Sequence, residues 1–214
     1  ILVSSDKKDL MNIKSHIENV YRVKVYIFDM NLSNIEASIE TYSKNIKNLI
    51  SLVSKVYFVA GKNYVNDPNL SLDHFESILR INYSSIAYLF ILLLKDLPKK
   101  SFVIFASTIA CIRARSSNTA YASAKNSLEF FVKGIRHSYP SRSQYFKIVR
   151  FGYLDSQMTF GQTLLLPKIS TFRAAKYLFD LKRSSSFISY FPRWWSLFNF
   201  IKFIPFYLFR FLRF

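Results

Sequence analysis

Short apolar runs alternate with longer stretches of helical periodicity along this chain, and that alternation restricts the fold more than any other feature. Leu10, Ile13 and Ile17, for example, recur at spacings of three and four residues and form one apolar stripe. Strands that alternate with helices are typical of βαβ units, so the sequence predicts an α/β fold with a doubly wound parallel sheet. The predicted strands are Ile1–Ser4, Val23–Phe28, Val53–Ala60, Phe102–Ala106 and Phe146–Phe151, and the predicted helices are Lys8–Tyr21, Ile35–Leu49, Leu72–Leu94 and Ala120–His137.

Composition narrows the class of protein. With 214 residues, 50% of them hydrophobic, the chain is long enough for one domain with a substantial core, which excludes a disordered or fibrous protein. The single cysteine, Cys111, cannot close an internal disulfide, and the three histidines stand apart in sequence. We therefore expect a reducing compartment and a mechanism without a metal. Lys and Arg number 30 against 13 acidic residues, and this excess favours anionic partners.

Tyr121 and Lys125 are the first candidates for chemistry. They lie four residues apart, and therefore on one face of the predicted helix Ala120–His137. A phenol has a pKa of about 10, and an ammonium group beside it lowers that pKa and makes the phenol a better acid and base near neutral pH. The same spacing occurs on ordinary amphipathic helices. The pair therefore indicates a catalytic site only together with the residues around it.

Further candidate residues stand at the ends of the predicted strands and inside the long predicted helix. In chain order they are Asp29, Ala60, Gly61, Asn82, Ser107 and Thr108. Their order, followed by Tyr-x-x-x-Lys, resembles that of the short-chain dehydrogenase/reductase family. The resemblance implies a Rossmann-type fold and an NAD(P)-dependent oxidoreductase with carbonyl reductase or alcohol dehydrogenase chemistry.

The resemblance also implies roles for individual residues. Tyr121 is the expected acid and base, Lys125 lowers its pKa and holds the nicotinamide ribose, and Asn82 maintains a proton relay. The residues implied in cofactor binding are Asp29, Met30, Ala60, Gly61, Tyr121, Lys125, Gly152 and Ser156.

The hydroxyl that orients the substrate oxygen has two candidates. Family members commonly place this hydroxyl thirteen positions before the tyrosine, and counting back thirteen from Tyr121 reaches Thr108. One inserted residue in the following loop would instead select Ser107, the residue type more usual in the family. Both residues therefore remain candidates.

The beginning of the chain departs from the family pattern. The glycine-rich loop that binds the cofactor's pyrophosphate is missing, and we expect the natural protein to be longer and to supply the first strand together with that loop. The choice between NADP and NAD stays open, because Ser4-Ser5-Asp6-Lys7-Lys8 stands where the family carries the residue that distinguishes them.

The C-terminal residues 187–214 form an aromatic and basic tail after a predicted domain of residues 1–186. Eleven of the last 24 residues are aromatic, and they are interleaved with Arg193, Lys202, Arg210 and Arg213. An amphipathic helical segment at an anionic membrane surface fits this composition. The alternatives are a tail that covers an apolar face of the domain or of a second copy in a homo-oligomer, and a true membrane span. A nucleic-acid partner is not expected.

Three short stretches carry a narrower resemblance, namely residues 113–118 and, in the tail, residues 192–195 and Ile204-Pro205. They look like those of the reductase subunits of decaprenylphosphoryl-ribose 2-epimerase and related enzymes of bacterial glycan synthesis. This resemblance implies a keto-sugar carried on a polyprenyl phosphate, reduced by a cytoplasmic enzyme peripheral to the inner face of the membrane. The alternatives are a reductase of soluble, acyl or steroid-type carbonyls, and a non-catalytic Rossmann adaptor at the membrane.

Overall fold

The computed structural model describes residues 1–64, 71–113, 115–162, 164 and 166–211. Within these ranges, eight strands and seven α-helices follow one another. The strands are β1 (Leu2–Ser4), β2 (Ile27–Asp29), β3 (Lys55–Phe58), β4 (Phe102–Thr108), β5 (Phe146–Phe151), β6 (Leu154–Asp155), β7 (Ile169–Ser170) and β8 (Ile188–Phe191). The helices are α1 (Lys7–Tyr21), α2 (Ile35–Thr41), α3 (Leu72–Leu79), α4 (Ser85–Asp96), α5 (Thr119–Ser138), α6 (Thr171–Asp180) and α7 (Phe206–Phe209).

The central sheet is parallel and has the strand order β3-β4-β5-β8. Val103 of β4 pairs with Val56 on one side and Phe146 on the other. All six residues of β5 are buried, as expected for a strand covered on both faces by helices. Two shorter parallel pairs, β1-β2 and β6-β7, complete the strands. This parallel sheet flanked by helices confirms the predicted α/β Rossmann-type fold.

The main core lies between the sheet and helices α4 and α5. Phe90, Phe105 and Phe146 are at most 1% exposed, and the Phe90 ring meets the other two edge-on, with centroids 4.9 and 5.4 Å away. Burying a side chain of this size contributes about 1.5–3 kcal/mol. The core therefore fixes α4 and α5 against the sheet, and the candidate residues Asn82 and Lys125 lie on or next to these helices.

The predicted helix Leu72–Leu94 extends from Leu72 to Asp96, and a π-helical turn at Arg80–Ser84 separates α3 from α4. Its 25 residues and mean hydropathy of 1.6 meet the length and composition of a membrane-spanning helix, although half of its most apolar window is buried inside the protein. Ile86 and Phe90 are fully buried and belong to the main core. These contacts are those of a core helix.

Two predicted elements are shorter than the sequence indicates. Regular α-helix ends at Thr41 rather than Leu49, and the chain continues through a π turn and a 3-10 segment that ends at Leu52. In the predicted strand Val23–Phe28, only the last two residues join β2. The Val25 N–H donates to the Glu18 carboxylate at 2.9 Å, so this stretch is held by a side chain and not by a neighbouring strand.

The C-terminal segment is attached to the domain from its first residues. β8 pairs with β5 and is the edge strand of the central sheet, so the sheet includes residues that the sequence assigned to a separate tail beginning at position 187. A 3-10 segment, Arg193–Phe203, and the short α7 replace the single amphipathic helix expected there. Ala114 and the last tail residues, 212–214, lie outside the described residues.

Candidate active site

Lys125 lies at the carboxyl ends of two neighbouring strands. Helix α5 carries it inward, where it is only 3% exposed, and its Nζ donates to the carbonyl oxygens of Ala60 at 3.0 Å and Ala106 at 3.2 Å. The Ala60 carbonyl follows the end of β3, and the Ala106 carbonyl lies within β4. Burial lowers the pKa of Lys125 to about 8. The ammonium group is therefore held by backbone oxygens at the sheet edge where ligands bind in open α/β folds.

Asn82 is fully buried in the π-helical turn between α3 and α4. Its Nδ2 donates to the carbonyl oxygens of Lys62 at 2.7 Å and Ile78 at 2.8 Å, and its Oδ1 accepts the Lys62 N–H at 3.1 Å. Single π turns inside helices are frequent at functional sites, because they redirect a side chain and free backbone groups. The turn here fixes the loop that follows β3.

Gly61 lies where Asn82 and Lys125 approach each other. A Cβ at this position would lie 3.3 Å from Asn82 Oδ1, 3.7 Å from Lys125 Nζ and 3.7 Å from Met158 Cε. A larger side chain would therefore enter the space that these groups line. The structure brings Ala60, Gly61, Asn82 and Lys125 into one cluster.

Tyr121 packs one helical turn before Lys125, beside the cluster of Ile78, Ala120 and Ala124. Its hydroxyl makes no hydrogen bond with the described residues, and Lys125 Nζ points instead to the two strand carbonyls. Burial, and to a lesser extent the nearby Cys111, raises the pKa of Tyr121. The expectation that Lys125 lowers the pKa of this phenol is therefore wrong for this arrangement of the site, because desolvation dominates and the Lys125 ammonium group contributes no opposing shift.

Ser107 and Thr108 have different surroundings. The Ser107 hydroxyl donates to Glu129 Oε1 at 2.6 Å, and the residue is only 6% exposed. Thr108 ends β4, half-buried, and its Oγ1 accepts the Ala110 N–H at 3.2 Å, which leaves its own proton without an acceptor among the described residues. The Ser107 hydroxyl is thus hydrogen-bonded in the protein interior, whereas the Thr108 hydroxyl is available to donate to a ligand at the end of the strand.

A buried ion pair that the sequence analysis missed lies behind Ser107. Glu129 is 1% exposed and Arg150 is 5% exposed, and two hydrogen bonds of 2.8 and 2.6 Å join the guanidinium to the two carboxylate oxygens. Arg150 Nη1 also donates to the Tyr190 hydroxyl at 2.8 Å. The signal was present in the sequence, because Glu129 follows Lys125 by one helical turn and Arg150 is one of two basic residues in a strand that is otherwise apolar.

The other residues expected to bind cofactor are spread over three places. Asp29 is exposed at the end of β2, while Met30 is 5% exposed within the main core and its N–H donates to the Ser4 carbonyl at 2.9 Å. The Met30 side chain therefore packs in the hydrophobic core. Ser156 begins a 3-10 turn that contains Met158, the neighbour of Gly61.

Gly152 follows β5 and is covered by the tail. A Cβ on Gly152 would lie 1.9 Å from the Trp195 Nε1 atom, so this position accepts only glycine while Trp195 is in place. Trp195 itself is 1% exposed. The tail thus packs directly on a residue that the sequence assigned to the cofactor site.

Comparisons with known proteins agree with this geometry. Residues 1–163 match the sequence model of the short chain dehydrogenase family. An alcohol dehydrogenase from the archaeon Thermococcus sibiricus, complexed with 5-hydroxy-NADP, is 17% identical, with a TM-score of 0.74 over 88% of this chain and 83% of that one. A short-chain dehydrogenase/reductase double mutant from Serratia marcescens is 14% identical, with a TM-score of 0.76 over 88% and 83%.

Landomycin C-6 ketoreductase, with bound NADP and rabelomycin, is also 14% identical, with a TM-score of 0.73 over 89% of this chain and 81% of the other. A comparison with curated protein sequences found no match. The family match covers most of the chain, and the fold agrees with it. The chain belongs to the short chain dehydrogenase family and is an oxidoreductase of the NAD(P)-dependent class.

Proposed function

We propose that this protein reduces a carbonyl group to an alcohol and that Tyr121 donates the proton. The observation that carries the proposal is the half-buried Tyr121 phenol, one helical turn before the buried Lys125 ammonium group that borders Gly61. Because burial raises the pKa of Tyr121, the phenol holds its proton at neutral pH. A group that is protonated at the working pH is suited to act as a general acid, as reduction requires.

Four residues of this chain have separate roles in the proposed reaction. In the proposed reaction, Thr108 Oγ1 donates to the carbonyl oxygen and orients it, and Tyr121 transfers its proton to that oxygen. When bound, the reduced nicotinamide supplies the hydride to the carbonyl carbon. Lys125 places positive charge beside the reacting groups and would hold the hydroxyls of the nicotinamide ribose. Asn82 keeps the Lys62 carbonyl and N–H fixed and thereby maintains the path by which the proton is replaced.

The described residues fit a nicotinamide dinucleotide. Gly61 provides the open space beside Asn82 Oδ1 and Lys125 Nζ. Ala60 adjoins this space, and the 3-10 turn that follows Ser156 brings Met158 to it. Asp29 is exposed for an adenine contact. We propose NADP or NAD as the cofactor, since structures similar to this chain hold 5-hydroxy-NADP, NADP or NADH.

We further propose that the substrate is a keto-sugar on a polyprenyl phosphate, reduced at the membrane surface. The tail supports this proposal because one of its faces is docked and the other is exposed. Phe200, Phe203 and Phe206 are 70%, 80% and 73% exposed, and Lys202 stands among them. Aromatic rings with interspersed cations favour the interface of an anionic membrane. Flotation of the full-length protein with phosphatidylglycerol liposomes tests this part, and loss of flotation after Phe203→Ser with Phe206→Ser is the expected result.

A carbonyl on an acyl chain or a steroid-type ring is the second candidate substrate. The observation that favours it is a largely apolar cavity lined by side chains of the loop that follows Thr108 and by side chains of the tail. Such a substrate requires no membrane. Reduction of a soluble ketone by a protein that does not float with liposomes would select this candidate.

The test of the catalytic proposal is turnover by full-length Tyr121→Phe. The variant keeps the ring and removes only the proton donor, so we expect turnover to fall by about 10²–10⁴-fold while cofactor binding is retained. Tyr83→Phe, which alters a tyrosine packed near the same cluster, is the matched control and should keep wild-type turnover. Substantial activity in Tyr121→Phe would refute the assignment.

A further inference from the structure

A cavity of about 310 Å³ lies beside the candidate site, between the loop after β4 and the docked tail. Ile109 and Ile112 form one wall, and Ile109 directly follows Thr108. Trp195, Phe198 and other apolar tail residues form the opposite wall. The lining of the cavity thus begins one residue after Thr108, which carries the proposed substrate-orienting hydroxyl, and the tail that closes the cavity has no part in the catalytic proposal.

The charged side chains that line this cavity are all positive among the described residues. Arg113 and Arg115 line it, and none of the described lining residues is acidic. Arg113 is fixed in place, because its Nη1 donates to the carbonyl oxygens of Ile201 at 3.2 Å and Lys202 at 2.8 Å. Its guanidinium also lies 4.4 Å from the Phe209 ring centroid. A positive group held against an apolar wall complements a ligand that joins a hydrocarbon part to an anion.

We propose that this cavity binds the hydrocarbon chain of the substrate, and that an acidic group attached to the chain pairs with Arg113 and Arg115. The volume falls within the range of about 300–1,000 Å³ that is usual for small-molecule sites. The inference rests on the proposed function and extends it, because it assigns the part of a lipid-linked substrate that the tail holds. The tail is accordingly a wall of the substrate site, with Trp195 in direct contact with the bound chain.

Tryptophan fluorescence reports binding without any turnover. The chain contains two tryptophans, Trp194 and Trp195, whose rings lie 4.3 Å apart, and only Trp195 lines the cavity. In full-length Trp194→Phe, Trp195 is the sole reporter. We expect a saturable change in emission with monomeric farnesyl phosphate, a weaker affinity for farnesol, and no change with glycerol phosphate. Equal responses to farnesyl phosphate and glycerol phosphate would overturn the proposal.

Two substitutions in the Trp194→Phe background locate the ligand. Ile109→Phe fills the cavity and should weaken farnesyl phosphate binding by about tenfold, which corresponds to about 1.4 kcal/mol. Ile91→Phe, on the exposed face of α4, is the matched control and should leave binding unchanged. Arg115→Gln should reduce the affinity for farnesyl phosphate to that for farnesol, whereas the exposed Arg193→Gln should have no effect. Thermal unfolding of each variant identifies any loss that comes from misfolding.

The remaining outcomes separate this inference from the proposed function. Saturable binding that depends on Ile109 and Arg115, in a protein that reduces no carbonyl, would support the cavity and refute the reaction. Turnover of a polyprenyl-linked ketone that is unaffected by Ile109→Phe and Arg115→Gln would support the reaction and refute the cavity. Emission that changes only with phosphatidylglycerol vesicles, and not with free farnesyl phosphate, would identify a membrane-docking surface and overturn the proposal.

Discussion

Two hydroxyl side chains that are neighbours in sequence face different surroundings, and this difference selects the proposed substrate contact. Ser107 donates to the buried Glu129, and Thr108 has a hydroxyl proton to offer at the end of β4. Alternation of side chains along a strand sends adjacent residues to opposite faces, so the two hydroxyls do not exchange roles by a small rotation. Counting residues in the sequence left both open, because it does not show which face of β4 meets α5.

Substituting each hydroxyl separately tests this difference. Thr108→Val should lower kcat/KM by about 10²–10³-fold, because it removes a donor to the reacting oxygen, with little change in the unfolding midpoint. Ser107→Ala should retain most of the turnover and lose about 1–3 kcal/mol of stability, because a buried carboxylate oxygen loses a donor. Steady-state kinetics and denaturant unfolding of both variants check the prediction. The reverse pattern would restore Ser107 as the substrate contact.

The acidity of Lys125 sets a second expectation. Its pKa is lowered to about 8, so the side chain is charged below that pH and becomes neutral above it. If the charge assists reduction, kcat/KM is constant at lower pH and falls as pH rises through the pKa of this group, because kcat/KM reports groups of the free enzyme. The pH profile measures this directly. A kcat/KM that rises across the same range would contradict the role of the ammonium group.

Secondary structure elements were predictable where local periodicity coincides with burial. β5 is Phe146–Phe151 as predicted, and α5 differs from its predicted bounds by one residue at each end. The π turn that orients Asn82 was not predictable, because nothing in the residues 80–84 separates it from ordinary helix. The ion pair of Glu129 with Arg150 depends on the register of β4 and β5 and on the placement of α5, which only the assembled fold supplies.

That ion pair should hold the catalytic helix to the sheet. Glu129→Gln leaves Arg150 buried without a charged partner, and we expect a loss of about 3–5 kcal/mol of unfolding free energy. Glu76→Gln breaks the exposed Arg80–Glu76 pair and, as the control, should cost about 0–1 kcal/mol. Denaturant titrations of both variants check the difference. Equal losses would mean that burial of the Glu129 pair contributes nothing specific.

Across the whole molecule, the tail and the catalytic domain form one packed unit from β8 to α7. β8 completes the central sheet, Trp195 covers Gly152, and Arg113 donates to two carbonyls of the tail. Composition alone indicated an aromatic and basic surface segment, and it could not show that one face of that segment is docked. The long-range contact between Gly152 and Trp195 is specified by the fold, not by any local pattern.

Gly152→Ala tests whether that contact holds the tail. A Cβ would overlap the Trp195 indole, so we expect the tail to undock and the tryptophan emission to shift to longer wavelength. Gly134→Ala is the control, because a Cβ there meets nothing within 4 Å and the position lies inside α5. This control should raise stability by about 0.5–1 kcal/mol. Unchanged emission in Gly152→Ala would show that the indole is not packed on this glycine.

Binding of the reduced cofactor is the most direct test of an oxidoreductase site built around Lys125, Asn82 and Gly61. The full-length protein is titrated with NADPH and with NADH, and the nicotinamide fluorescence is followed. We predict a saturable enhancement with at least one of them, and its loss in Gly61→Leu, whose side chain enters the space between Asn82 Oδ1 and Lys125 Nζ. Absence of saturable binding of both cofactors by the folded wild-type protein would contradict the account and leave a non-catalytic Rossmann adaptor.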